Sequence, residues 1–172
     1  MELAPPIVRR STGVESGRTS LPKQFRLTEL RRQYEGAIAM GYEFLTCSEY
    51  FNRKDDLPDL AVVHRIDVDF SMKKASAILN LLRELGIRGT FFIRLHAPEY
   101  NLFDFQNYRV LRNLVSDGHE VGLHTEIVDQ AAIWQEDQEE CLRRDLRVLE
   151  EILGSPISGT ASHGGQTGLN NL

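Results

Sequence analysis

Cysteine is scarce in this chain, and neither Cys47 nor Cys141 has a second cysteine nearby. That excludes a zinc knuckle and a disulfide framework, and makes a reducing, cytoplasmic location the expectation. Long apolar runs are missing too. None approaches the ~20 residues that a bilayer-crossing helix needs. The first residues, with Pro5, Pro6 and scattered arginines, hold no apolar stretch of the secretory-signal type. No internal repeat or low-complexity tract is present. Neither GxGxxG nor GxxxxGK[ST] stands at a strand-to-helix turn, which disfavours a nucleotide-binding fold. Basic residues are not in excess: the formal net charge is −5, an argument against nucleic acid or an anionic membrane as partner.

What remains is 172 residues, 41% hydrophobic and 26% charged, the make-up of one globular domain large enough for a real core. Residues 1–23, rich in Ser, Thr, Gly and Pro, read as a flexible tail before a domain over 24–172. Apolar periodicity predicts a helix over 24–40, then a short strand at 42–46 and a helical turn at 49–52. A strand over 61–70 follows the polar connector 53–59. Ser71 is a reasonable N-cap for a helix to Leu85 with Ile78, Leu81, Leu82 and Leu85 inward, and Gly86 ends it. The β-branched and aromatic run 88–95 predicts a second strand. A helix over 107–116 and a strand over 120–124 come next. A long helix over 129–153 has Trp134, Leu142, Leu146, Leu149 and Leu153 inward, and the last strand spans 157–162. Strands alternating with helices in units of about 30 residues mean a parallel sheet with crossover helices. A barrel and an open doubly wound sheet both satisfy that pattern.

The strand 61–70, AVVHRIDVDF, ends in two acids. Alternate residues of a strand share a face, so Val63, Arg65, Asp67 and Asp69 point one way and His64, Ile66 and Val68 the other. Such a pair suits a divalent cation, or a cation plus a base; a strand finishing in a solvated acidic turn has the same look. The other strands break the tie. In parallel α/β folds functional groups gather at the C-terminal ends of the strands. Arg94 closes the second strand of this series, His124 the third, and His163 lies just past the fourth. Asp, His and His at one rim form a ligand set for zinc or another divalent transition metal. His64 faces away and is expected against a helix. His96 opens a loop and is expected to be solvated, and His119, at the far end of its strand, gets no role in the site.

Four stretches, HRIDVDF at 64–70, GTFFIRL at 89–95, DGHEVGLHTE at 117–126 and GTASHGG at 159–165, resemble the polysaccharide deacetylase family, the NodB-homology fold. GYEFLTCSEYF at 41–51 is similar to the segment before the acid motif in one branch of it. The resemblance spans roughly residues 25–165. It implies an α/β fold, a (β/α) barrel short of eight strands, which removes N- or O-acetyl groups from sugars with a bound metal. By resemblance Asp67 is the catalytic base and Asp69 the metal-binding acid, although the family's usual acid pair is adjacent rather than spaced. His124 matches the first histidine of the motif H-[ST]-x-x-H, and Thr125 its second position. The motif's second histidine falls at Val128, which cannot ligate a metal. His163 is expected to supply the missing ligand, with Glu126 and Asp129 as alternatives. The family's Arg-containing motif is not legible, and its late histidine, the general acid, has no counterpart. The resemblance also implies more strands than these, so a fragment, a partner-completed site and a reduced domain all fit.

The expected activity is removal of acetyl groups from a carbohydrate or polysaccharide precursor, with a divalent metal, zinc by ligand type. Asp67 takes the proton, and Arg94 either steadies Asp67 or binds substrate. The rivals are an inactive carbohydrate- or partner-binding domain and another metal-dependent amide hydrolase. Oligomeric state is not legible.

Overall fold

The computed structural model of the chain describes residues 26–165 and residue 167. The expected flexible tail, 1–23, lies outside the described residues, as do the first two positions of the helix expected from 24. The first element is α1, Leu27–Ala39. β1 (Glu43–Leu45) follows, then α2 (Cys47–Arg53). Next come β2 (Ala61–Val63) and β3 (Arg65–Val68). The chain continues with α3 (Met72–Leu85), β4 (Thr90–Ile93) and α4 (Phe105–Ser116). It ends with β5 (Glu120–Thr125), α5 (Ile127–Trp134), α6 (Gln138–Leu153) and β6 (Thr160–Ser162).

All strand pairs are parallel, in the orders β1-β2 and β3-β4-β5-β6. The expected single strand 61–70 divides at His64, where the chain changes partners. The His64 N–H donates to Leu45 O at 2.9 Å on one side, and Thr90 N–H donates to His64 O at 2.8 Å on the other. One extended segment thus serves β1 with its first half and β4 with its second, giving an α/β half-barrel.

Local signals set the ends of the elements. Thr46 and Glu49 form a reciprocal capping box that lengthens the expected turn at 49–52 into α2. Ser71 caps α3, accepting from Lys74 N–H at 3.3 Å, and Gly86 closes it at φ 67°. The predicted helix over 129–153 is in fact two. Gln135 takes φ 57°, and Asp137 caps α6 by accepting from the N–H groups of Glu139 and Glu140. The break turns Trp134 outward, 49% exposed, where the periodicity predicted it inside.

The core lies between the sheet and helices α3, α4 and α6. Phe91 and Ile93 of β4 and Leu123 of β5 are fully buried there with Leu82, Leu111, Leu114 and Leu149. Ile78 and Leu85, expected in the α3 stripe, are only half-buried, and Leu79 takes the inner place. Trimming one such leucine to alanine would cost about 2–5 kcal/mol. The odd-numbered core residues of β4 and β5 leave Phe92, Arg94, Gly122 and His124 in the other phase, which belongs to the site.

Candidate metal centre

The strand register sets the floor of the site. Asp67 is level with Phe92 and Gly122 across β3, β4 and β5. A Cβ on Gly122 would come 2.4 Å from Phe92 Cε1 and 2.9 Å from Gly159 O, so only glycine leaves room for the Phe92 ring. The Arg65 guanidinium lies 5.0 Å from that ring's centroid and grips both oxygens of Asp67, Nε to Oδ1 at 2.7 Å and Nη2 to Oδ2 at 2.8 Å. Arg65 and Asp67 are two apart on one strand face, a signal present in the sequence. Arg65, not Arg94, is the arginine that steadies Asp67.

At the rim, Asp69, His124 and His163 converge. The three side chains each offer one ligand atom, all within 4.8 Å of one another. His124 Nε2 is 3.3 Å from Asp69 Oδ1 and 3.6 Å from Asp67 Oδ2, and His163 Nε2 is 3.8 Å from Asp69 Oδ1. Each imidazole is held through its other nitrogen. His124 Nδ1 donates to Ala161 O at 2.9 Å, and His163 Nδ1 donates to Glu126 Oε1 at 3.1 Å. In the neutral ring this leaves each Nε2 lone pair turned toward the aspartate. Asp69 Oδ1 is buried with no hydrogen-bond donor, the one such side-chain atom among the described residues. With neutral rings, three lone pairs face one another around an orphaned carboxylate oxygen, an arrangement that a cation among them relieves. Tetrahedral zinc, with bonds of about 2.0–2.1 Å, needs ligand atoms roughly 3.3 Å apart. The donor types suit such an ion, and the separations from Asp69 Oδ1, 3.3 and 3.8 Å, lie at and somewhat above that spacing.

Behind this cluster lies a buried ion pair. Arg94 Nη2 donates to Glu126 Oε1 at 2.9 Å and Nε to Oε2 at 3.3 Å, with both side chains 6% exposed. Arg94 Nη1 donates to the Asp69 carbonyl at 3.0 Å. Arg94 is thus placed against Glu126 and the Asp69 backbone, and Asp67 has Arg65 instead. Tyr100, whose hydroxyl burial raises to about 12, donates to Val68 O at 2.7 Å and pins the loop after β4 to the end of β3.

Of the two alternative ligands, Glu126 is occupied by Arg94 and His163. Asp129 accepts from Thr167 N–H at 2.8 Å and from its hydroxyl, tying the segment after His163 to α5. Val128 contributes no ligand. The remaining histidines are set apart. His64, expected against a helix, accepts from Tyr34 of α1 through Nε2 at 2.7 Å and donates from Nδ1 to Arg88 O at 3.2 Å. His119 Nδ1 accepts from Gly89 N–H at the opposite end of the sheet. His96, expected to be solvated, instead bonds the buried Asp145 at 3.0 Å.

Among the described residues, no helix is long and apolar enough to cross a membrane. Comparison with curated proteins returns no match. The solved structure of IcaB from Ammonifex degensii is similar in fold, with a TM-score of 0.61 and 18% identity over 82% of this chain and 69% of that one. The chitin deacetylase of the fungal pathogen Colletotrichum lindemuthianum is 22% identical over 52% of this chain and 37% of that chain, with a TM-score of 0.39. The sequence pattern of the polysaccharide deacetylases matches residues 62–168, more than half of the chain. With Asp67 of β3, Asp69 just past it, His124 of β5 and His163 after β6 all inside that span, the chain belongs to the polysaccharide deacetylase family.

Proposed function

We propose that the chain hydrolyses N- or O-linked acetyl groups on a carbohydrate, with a divalent cation, zinc, held by Asp69 Oδ1 and the Nε2 atoms of His124 and His163. The observation that carries this reading is the donorless, buried Asp69 Oδ1 facing two imidazoles whose other nitrogens are already bonded. When bound, the cation polarises the acetyl carbonyl and acidifies a water.

The chain's own residues do the rest. Asp67, 3.6 Å from His124 Nε2, stands beside the ligand set and takes the proton of the attacking water. Arg65 keeps both Asp67 oxygens in register while that happens. The C–N or C–O bond to the sugar then breaks, acetate leaves, and the proton on Asp67 passes to the departing amine or alcohol. Glu126 holds the His163 ring, and Arg94 balances the charge of Glu126 and fixes the Asp69 backbone. Phe92, 4% exposed, forms the dry floor.

Acetate release from an N-acetylglucosamine tetramer by zinc-loaded protein tests the reading. Asp67→Asn is expected to lower turnover by roughly 10²–10⁴-fold, the share that a positioned base supplies, with zinc affinity unchanged. Turnover of Asp67→Asn at the parental rate would remove Asp67 from its role. Absence of acetate from fully loaded protein would favour a binding domain instead.

A further inference from the structure

A cavity of about 720 Å³ lies between the segment after β4 and α6, lined on the helix by Arg144, Asp145, Val148 and Ile152. We infer that it is a second carbohydrate site, which holds sugar units of the same chain whose acetyl group reaches the metal centre. The inference rests on the function proposed above. The volume falls in the range of ligand pockets, about 300–1,000 Å³.

Its chemistry points to a neutral, polyhydroxylated ligand with one apolar face. Leu102 and Ile152 supply a buried apolar wall, and the Phe103 ring stands at the mouth 69% exposed. On the same lining Asp145, 3% exposed, accepts from His96 Nε2 at 3.0 Å and from the Gln130 amide at 2.6 Å. In the neutral ring that donates from Nε2, His96 Nδ1 is an acceptor, and the Arg144 guanidinium on the same lining is a donor. Hydroxyl and acetamido groups satisfy both kinds of partner. Acids and bases nearly balance around the lining, which suits neither an anion nor a cation.

The hollow does not stop at Phe103. A second one of about 430 Å³, along Tyr108 and Arg147, shares Phe103, Val148 and Ile152 with the first. A groove passing both sides of an exposed ring has room for consecutive sugar units. It is also close to the chemistry. Glu99 lines the cavity and reaches Arg94 Nη1 at 3.6 Å, and the same Nη1 donates to the Asp69 carbonyl. Glu99 and the buried Arg94 side chain thus connect the lining of the groove to the backbone of the metal ligand.

The sole tryptophan, Trp134, is a built-in reporter. Its ring packs edge-on to His96, 5.4 Å between centroids, and lies 5.6 Å from the Arg144 guanidinium. Titrating the metal-free full chain with an N-acetylglucosamine tetramer should give a saturable change in Trp134 fluorescence. Phe103→Ala should weaken that binding about tenfold, as one stacked ring is lost, and leave zinc affinity and the circular dichroism spectrum unchanged. A tetramer titration with no fluorescence change, or equal affinity in Phe103→Ala, would overturn the groove and leave His96 and Asp145 as a structural tie. Acetate release by the zinc-loaded parent is measured alongside. Release without tetramer binding in the metal-free chain refutes the groove alone. Binding without release supports the groove and refutes the catalytic reading alone.

Discussion

Replacing Glu126 by glutamine separates the two duties that the structure gives this residue. The carboxylate accepts two hydrogen bonds from Arg94 and one from His163. An amide keeps a single oxygen for all three donors and leaves Arg94, 6% exposed, with only the more distant Glu99 as a counter-charge. Removing one partner of a buried pair costs roughly 3–5 kcal/mol. Arg94 retains the Asp69 carbonyl at 3.0 Å and Glu99 at 3.6 Å, so the lower end, about 3 kcal/mol, applies. With a urea m-value of about 2 kcal/mol/M, the unfolding midpoint should fall by ~1.5 M. Zinc affinity, read by competition with a chelator, should fall 10–100-fold, the usual range for losing the group that orients a ligand histidine. The double variant Arg94→Met/Glu126→Leu should recover most of the stability, because no buried charge is stranded, and none of the zinc affinity. An E126Q protein that matches the parent in both urea midpoint and zinc affinity would refute the reasoning.

Two further outcomes follow from the packing. Burial holds the His64 and His119 imidazoles below their ordinary value, so the unfolded chain binds protons that the folded chain refuses. Stability should be complete above about pH 6.5 and fall as pH drops from there toward the lowered folded values, by up to ~1.4 kcal/mol per pH unit for each group. Urea midpoints across pH 5–8 check this, and His64→Gln should flatten the slope. Gly122→Ala should destabilise by about 1–3 kcal/mol and move Phe92 from beneath the site, since its Cβ meets both that ring and the Gly159 carbonyl. An unchanged thermal midpoint would contradict the close approach.

The sequence was legible where a single period decides the geometry. Parallel strands and period-2 phase put Asp67, Asp69, His124 and His163 at one rim, because the side-chain alternation of a strand admits only two faces. Ser71 and Gly86 were legible as caps for the same reason: their chemistry is local. Pairings between distant residues were not. Arg94 with Glu126, 32 residues apart, and His96 with Asp145, 49 apart, depend on how loops and helices pack over the sheet. The break between α5 and α6 was hidden because Gln135 adopts a left-handed conformation that usually marks glycine. The change of partners at His64 was hidden because both halves of the segment have strand composition.

The most direct test of the central claim is anomalous diffraction at the zinc edge from a crystal grown with zinc. The account predicts one strong peak within about 2.0–2.2 Å of Asp69 Oδ1 and of the Nε2 atoms of His124 and His163, lost in His163→Ala. A peak held by other residues, or none at this rim under zinc excess, would contradict it.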